Sequence, residues 1–170
     1  MTATLSFRPA DASDIPALHA LIEGAYRGET ARQGWTHEAD MIATPRTSAE
    51  ELAGIIASPD SRMLTAWHDN SLIGAVHIAR RAPSGAYLGM LTVDPAAQAG
   101  GLGKQILAHA ETQAAQIFGA RSMTMWVITG RPELIAFYKR RGYAPTGETE
   151  PYPVPLDPPL EFAVLRKALI

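Results

Sequence analysis

The sequence has 170 residues, 46% of them hydrophobic and 19% charged, with a formal net charge of −2 and no cysteine. This length is typical of one domain, so we expect residues 1–170 to form a single domain, and the lack of cysteine excludes disulfide scaffolds, thiolate metal sites and cysteine nucleophiles. The sequence has no basic stripe, no apolar stretch of membrane length and no secretory signal, which favours a cytoplasmic protein that binds neither nucleic acid nor membrane.

The first half of the chain is predicted to contain two helices and four strands. Apolar residues at helical spacing predict a helix over 15–26, and a capping box that begins at Ser48 opens a second helix over 48–57. Residues 27–47 show no period, and a loop of that length is usually functional or contains a short helix. Short apolar runs bounded by turn residues predict strands at 5–8, 62–68, 72–80 and 86–93. The last three of these strands are predicted to form an antiparallel meander.

The second half is predicted to contain two helices and three strands. The first helix follows a glycine-rich turn and ends at Gly119, and the second begins at Pro132 and ends near Gly142. A proline-rich loop at 150–159 separates the last two strands, and we expect it to shape a pocket. In chain order the elements are a helix over 102–118, a strand over 122–128, the helix from Pro132, and strands over 143–148 and 162–165.

Three glycines, Gly100, Gly101 and Gly103, stand between the strand at 86–93 and the helix that follows. Glycines let the backbone approach a ligand closely, and the first N–H groups of a helix have no internal acceptor, so this turn suits a phosphate or pyrophosphate. The alternative is a tight strand-to-helix turn without a ligand. A P-loop is excluded because Gln98 and Gln105 stand where it needs Gly and Ser or Thr, and no dinucleotide fingerprint fits.

The turn contains the pattern Gln98-x-x-Gly101-x-Gly103. This pattern resembles the Q/R-x-x-G-x-G/A signature of the GCN5-related N-acetyltransferases, the GNAT family. The segment from Arg131 to Tyr143 is similar to the second cofactor segment of that family, which ends F-Y-x-x-x-G-F/Y. The two segments stand in the order found in the family, with the predicted helix and strand between them. The chain departs from the family at Arg131, where members often carry an Asn that contacts the pantetheine arm.

The resemblance implies an α/β fold of the α+β type, with a mixed, mostly antiparallel sheet of six to seven strands. About four helices would flank this sheet, which would be splayed between strands four and five. Acetyl-CoA would lie in the splay as the cosubstrate. The implied function is an acetyl-CoA-dependent N-acetyltransferase that acts on a primary amine of a small molecule or peptide. Two alternatives stay open: a non-catalytic acyl-CoA sensor of the same fold, and a domain whose glycine turn is purely structural.

The resemblance also implies which residues contact acetyl-CoA. The main chain of Leu91 and Val93 would pair with the pantetheine amides like an added strand. Arg131 would reach a phosphate or face solvent. Main-chain N–H groups in the turn would cradle the pyrophosphate, and the residues assigned to this part of the site are Gln98, Gly100, Gly101, Leu102, Gly103 and Lys104.

Tyr138 is the candidate general acid. Helical spacing alone makes it an aromatic residue on a buried face, but the resemblance implies a hydroxyl near the thioester sulfur that protonates the departing thiolate. A base is needed as well, because a lysine-like amine is protonated at neutral pH. Glu38 is the candidate that we select. The other candidates near the expected acceptor cleft are Glu23, His37, Tyr87, Glu150 and Glu161.

The acceptor itself is less well defined by the sequence. We expect Tyr26, Trp35 and Tyr87 to contact it. The five histidines have no metal-ligand spacing, so no metal is expected. An exposed edge strand would permit a homodimer. A cationic amine is favoured by the acidic residues of the last segment, which are Glu148, Glu150, Asp157 and Glu161.

Overall fold

The computed structural model describes residues 5–27, 41, 42 and 45–169, apart from the side chains of residues 98 and 99. Within these residues the chain forms seven strands and four α-helices. The strands are β1 (Leu5–Pro9), β2 (Ser61–His68), β3 (Ser71–Arg81), β4 (Gly85–Val93), β5 (Ser122–Ile128), β6 (Ala144–Pro151) and β7 (Glu161–Ala168). The helices are α1 (Ile15–Tyr26), α2 (Ala49–Ala57), α3 (Leu102–Phe118) and α4 (Pro132–Lys139). None of these described helices is both long enough and apolar enough to cross a membrane.

The helix ends follow from local sequence signals. Ser48 is the N-cap of α2, and its hydroxyl accepts a hydrogen bond from the Glu51 N–H at 3.1 Å. Gly119 follows the last residue of α3 with a φ of 64°, the left-handed conformation that ends many helices. The predicted strands and helices are present in the described residues, and β6 extends to Pro151, into the segment predicted as a loop.

The seven strands form one mixed sheet in the order β1-β2-β3-β4-β5-β7-β6. Neighbouring strands are antiparallel except for β4 and β5, which run parallel. These two strands pair only from Gly85 and Ser122 to Tyr87 and Thr124, and they separate beyond that point. The predicted splay between strands four and five is therefore confirmed, as is the predicted fold class.

A β-bulge lies in the part of β4 that has left β5. Between Ala75 and His77 of β3, β4 supplies one extra residue, and Met90 has a φ of 51°. The Thr92 hydroxyl donates a hydrogen bond to the Met90 carbonyl at 2.7 Å and so closes the bulge. A bulge bends its strand and shifts the alternation of its side chains. The residue with the positive φ is not a glycine, and the only local signal of the bulge is Gly89, which precedes it inside the strand.

Helices cover both faces of the sheet. α3 packs on one face, where Ile106 and Ala110 join a buried cluster that contains Leu88 of β4. α1 and α2 cover the other face, where Leu18 and its neighbours contact Met90. Leu88 and Met90 are two residues apart and would share a face in a regular strand. The bulge places them on opposite faces and so opens this end of β4 toward α1.

Candidate active site

Two neighbouring cavities open at the C-terminal half of β4. The first, of about 260 Å³, is lined by β4, by the turn before α3, and by α4. The second, of about 250 Å³, lies between β4 and β5 and is closed by the end of α1 and the loop after β6. The residues that line both cavities are Tyr26, Leu91, Arg131, Leu134 and Tyr138. These shared residues mark the junction of the cavities.

The glycine turn forms one wall of the first cavity. A short 3-10 helix ends at Gly100, and Gly101 then takes a left-handed φ of 71° immediately before α3. Non-glycine residues adopt this conformation at a cost of about 1–2 kcal/mol, which explains the glycine. Because α3 begins at Leu102, the N–H groups of its first turn have no acceptor within the helix, and the helix dipole is positive there. This wall is therefore suited to an anion.

Cationic side chains complete the first cavity. Lys104, Arg140 and Arg141 line it together with Arg131, and no carboxylate among the described residues does so. The Arg141 guanidinium donates to the Phe137 carbonyl at 2.8 Å and stacks 3.9 Å from the centre of the Phe137 ring. Its Nε is buried and has no hydrogen-bond partner in the part of the chain that the structure describes.

Tyr138 lies at the junction with 4% of its surface exposed. Its ring makes edge contacts with Phe137 and Tyr143, at centroid distances of 5.3 and 5.9 Å. Among the described residues its hydroxyl has no hydrogen-bond partner. Burial raises the pKa of this hydroxyl above its ordinary value, as does nearby Tyr26, while Arg131 acts in the opposite direction. At neutral pH the group is therefore a protonated donor.

The Leu91 carbonyl already has a partner. The Tyr26 hydroxyl donates to it at 2.8 Å, which ties the end of α1 to the bulged part of β4. The Arg46 and Arg131 guanidiniums lie 5.1 and 5.8 Å from the centre of the Tyr26 ring. Tyr26 is thus held between the two cavities by a main-chain acceptor and two cations.

Comparison with known families identifies this architecture. A family model described as the Acetyltransferase (GNAT) family matches residues 23–143, which include the described lining of the first cavity and most of that of the second. The chain belongs to the GNAT family. Among proteins of curated function, none is significantly similar to this GNAT sequence.

Solved structures share the GNAT fold at low sequence identity. The PaiA N-acetyltransferase from Thermoplasma acidophilum, solved in complex with coenzyme A, has a TM-score of 0.74 and 19% identity, over 97% of this chain and 99% of that one. YncA, a putative acetyltransferase from Salmonella typhimurium solved with its cofactor acetyl-CoA, has a TM-score of 0.74 and 16% identity, over 99% and 95%. The ribosomal-protein-S18-alanine N-acetyltransferase from Escherichia coli has a TM-score of 0.75 and 15% identity, over 98% and 94%.

The residues predicted to bind the cofactor fall into two groups in this GNAT domain. Leu102 is a buried core residue and Gly100 is exposed, and neither lines the two cavities. The side chain of Gln98 lies outside the described residues. Arg131 is 4% exposed, so that it does not face solvent. The predicted residues that line the first cavity are Leu91, Val93, Gly101, Gly103, Lys104 and Arg131.

None of the predicted base candidates that the structure describes lines either cavity. Glu38, His37 and the predicted acceptor contact Trp35 fall outside the described residues. Glu23 accepts a hydrogen bond from the Thr47 N–H at 2.7 Å and lines neither cavity. The acidic residues of the last segment also line neither cavity, so the lining does not support the expected cationic acceptor; they are Glu148, Glu150, Asp157 and Glu161.

Tyr87, expected to contact the acceptor, is instead packed within the sheet. Its ring lies 5.4 Å from His77 edge-on and 5.7 Å from Trp126, and it lines neither cavity. Burial raises its pKa above the ordinary value. Burial also lowers the pKa of His77 to about 4, with a smaller opposing effect of Glu51. These two groups are therefore uncharged at neutral pH and belong to the interior.

Arg131 is the one arginine among the described cavity residues that sequence reasoning assigned to the site. Arg140 and Arg141 follow the end of α4, where basic side chains complement the helix dipole, and this position alone gives no hint of a ligand. Arg27 and Arg46 line the second cavity but come from a segment without periodicity. Only the fold brings these scattered positions together.

Proposed function

We propose that this protein is an acetyl-CoA-dependent N-acetyltransferase that acetylates a primary amine of a small molecule or peptide. The observation that carries the proposal is the junction of two cavities at Tyr138, one of them built as an anion site. An enzyme that joins two substrates needs such a junction, because both reacting groups must reach one point. Membership of the GNAT family supports the same reaction.

The first cavity fits the diphosphate and pantetheine arm of acetyl-CoA. The N–H groups that begin α3 would bind the diphosphate, with Lys104, Arg140 and Arg141 supplying positive charge. The main chain of Leu91 and Val93 would pair with the pantetheine amides. The Leu91 carbonyl can accept a second hydrogen bond beside that from Tyr26, because a carbonyl oxygen has two lone pairs. Bound acetyl-CoA supplies a thioester carbonyl that an amine can attack.

Tyr138 acts as the general acid in this proposal. As the new N–C bond forms and the C–S bond breaks, the hydroxyl gives its proton to the departing sulfur, and a proton released by the nitrogen restores it. The hydroxyl has its proton at neutral pH, since burial raises its pKa. The positive charge of Arg131 at the junction disfavours an ammonium and so favours the neutral amine that attacks.

The base that deprotonates the amine is assigned to Glu38. No carboxylate or imidazole among the described residues lines the second cavity, so the base is drawn from elsewhere or the proton leaves through water. Replacement of Glu38 by Gln should lower kcat at pH 7. At higher pH, where the free amine is abundant, the kcat of this variant should return to the wild-type value. A pH-independent loss would remove Glu38 from this role.

Acetyl transfer is tested by following free thiol release with acetyl-CoA and a panel of primary amines. Amine-dependent release, with the acetylated amine identified by mass spectrometry, supports the proposal. Binding of acetyl-CoA without transfer to any amine would favour the alternative of an acyl-CoA sensor. Absence of binding would contradict both functions and leave the glycine turn as a structural feature.

A further inference from the structure

The polar lining of the second cavity consists largely of guanidinium groups. Arg27, Arg46 and Arg131 all line it, and Arg27 and Arg131 are 8% and 4% exposed. No aspartate or glutamate among the described residues lines this cavity. Each guanidinium retains its charge at all physiological pH values, so the cavity of about 250 Å³ offers three cationic donor groups; Glu133 Oε1 lies 4.0 Å from the Nε of Arg131.

Trp126 contributes to the wall of the same cavity. The Arg81 guanidinium lies 4.7 Å from the centre of the Trp126 ring and holds the indole in position. The indole N–H is buried without a hydrogen-bond partner in the described residues, so it faces protein atoms and not the cavity.

The remaining wall of the second cavity is apolar. Sites for drug-sized ligands typically occupy about 300–1,000 Å³, and a cavity of about 250 Å³ suits a smaller molecule. The bulge contributes to this wall, because it turns Met90 to the α1 side of the sheet. The apolar lining residues include Leu88, Met90, Met125, Val127, Ile128 and Phe162.

We propose that the acceptor is a small amino acid, with a carboxylate bound by Arg27 and Arg46 and an apolar side chain against the wall. This inference rests on the proposed acetyltransferase function and names its substrate class. The orientation follows from the lining: Arg27 and Arg46 line only the second cavity, whereas Arg131 and Tyr138 line both. The carboxylate therefore lies away from the junction and the amine toward it.

The reaction balances without a further reactant. The amine nitrogen forms an amide bond to the acetyl carbon, and the thioester C–S bond breaks. Of the two protons that the ammonium form loses, one ends on the coenzyme A sulfur and the other passes to solvent. The carboxylate of the acceptor takes no part in bond formation, so its contribution is confined to binding and orientation.

The test compares matched acceptors that differ only in the carboxylate. Leucine, methionine and phenylalanine are each assayed against the corresponding amide and the corresponding decarboxylated amine, with spermidine as a cationic acceptor. At least one amino acid should show a kcat/KM at least tenfold above that of both its counterparts. The amide has the less basic amine and more of it is in the reactive form, so a preference for the acid does not arise from basicity.

Variants of the arginines assign that preference to the cavity. Arg46→Gln should lower kcat/KM at least tenfold for the preferred amino acid and less than twofold for its amide. Arg121→Gln, at an exposed arginine that lines neither cavity, should leave both values unchanged.

The outcomes separate this inference from the proposed function. Transfer to amides, decarboxylated amines or spermidine with equal or greater efficiency overturns the amino-acid assignment and leaves the acetyltransferase intact. An Arg46→Gln enzyme that is folded and keeps the preference for the acid also overturns it. Absence of transfer to any amine, with acetyl-CoA bound, overturns both.

Discussion

Tyr138→Phe removes the hydroxyl at the junction and keeps the ring. The ring contacts with Phe137 and Tyr143, at 5.3 and 5.9 Å, do not involve the hydroxyl and should remain. If the hydroxyl protonates the departing thiolate, kcat should fall by about 10²-fold, the low end for general acid catalysis, because a thiolate is already a fair leaving group. This loss corresponds to about 2.7 kcal/mol of activation free energy. The affinity for acetyl-CoA should change little.

The structure also bears on the stability of this variant. Tyr138 lines both cavities, and no hydrogen bond joins its hydroxyl to a described residue, so removal of the hydroxyl leaves the surrounding contacts in place. The Tm of Tyr138→Phe should therefore stay close to that of the wild type. Tyr143→Phe is the matched control, because its hydroxyl donates to Glu111 at 2.8 Å. That variant should lose about 1 kcal/mol of stability and retain turnover.

The pH dependence of the Tyr138→Phe effect separates acid catalysis from packing. Burial raises the pKa of Tyr138, so the wild-type hydroxyl stays protonated across the usual assay range. Deprotonation of Tyr138 therefore does not contribute to the pH dependence. The loss in kcat should shrink toward high pH because the thiolate then leaves without being protonated. It should be larger for acyl donors whose thiols are poorer leaving groups. Wild-type kcat in Tyr138→Phe, measured by single turnover where chemistry limits the rate, would refute the assignment of the general acid.

Two further predictions concern the turn and the interior. Gly101→Ala should weaken acetyl-CoA binding at least tenfold in calorimetry, about 1.4 kcal/mol, and lower the Tm because Gly101 has a φ of 71°. Gly100→Ala, where an added Cβ meets nothing within 4 Å, should change neither value. If Gly101→Ala binds acetyl-CoA as tightly as the wild type, the turn has only a structural role. The pKa of His77 in the folded protein is about 4, below the ordinary value of 6.5, so the unfolded chain binds more protons between these two pH values. The free energy of unfolding should therefore fall by about 2 kcal/mol from pH 7 to pH 5. Urea unfolding should show that His77→Gln lacks this loss, and an unchanged pH dependence would contradict the burial of a neutral imidazole.

The sequence predicted the elements because their signals are local. The Ser48 capping box and the glycine at the end of α3 act through neighbouring backbone groups, so the ends of these helices could be read directly. The splay and the cofactor turn were predicted through the resemblance around Gly101 and Gly103. A glycine turn by itself is also consistent with a tight strand-to-helix turn that binds no ligand. Both predictions thus depend on short segments of contiguous chain.

The acceptor side could not be predicted because it is assembled from distant segments. Arg27, Arg46 and Trp126 come from three different parts of the sequence, and none of them has a distinctive spacing. The bulge at Met90 has one local signal, Gly89 inside the strand, but this glycine does not tell which side chains reach the second cavity. The acidic residues of the last segment pointed to a cationic acceptor by composition, but none of them lines either cavity.

Acetyl transfer itself is measured most directly with acetyl-CoA labelled with ¹³C in the acetyl group. Enzyme, labelled acetyl-CoA and a mixture of primary amines are incubated, and the products are followed by NMR together with free thiol. We predict equal amounts of free coenzyme A and of an amine that carries the ¹³C-acetyl group on its nitrogen. The Gly101→Ala variant should react at least tenfold more slowly at limiting acetyl-CoA. Free thiol without an acetylated amine, or no consumption of acetyl-CoA by the folded protein, would contradict it.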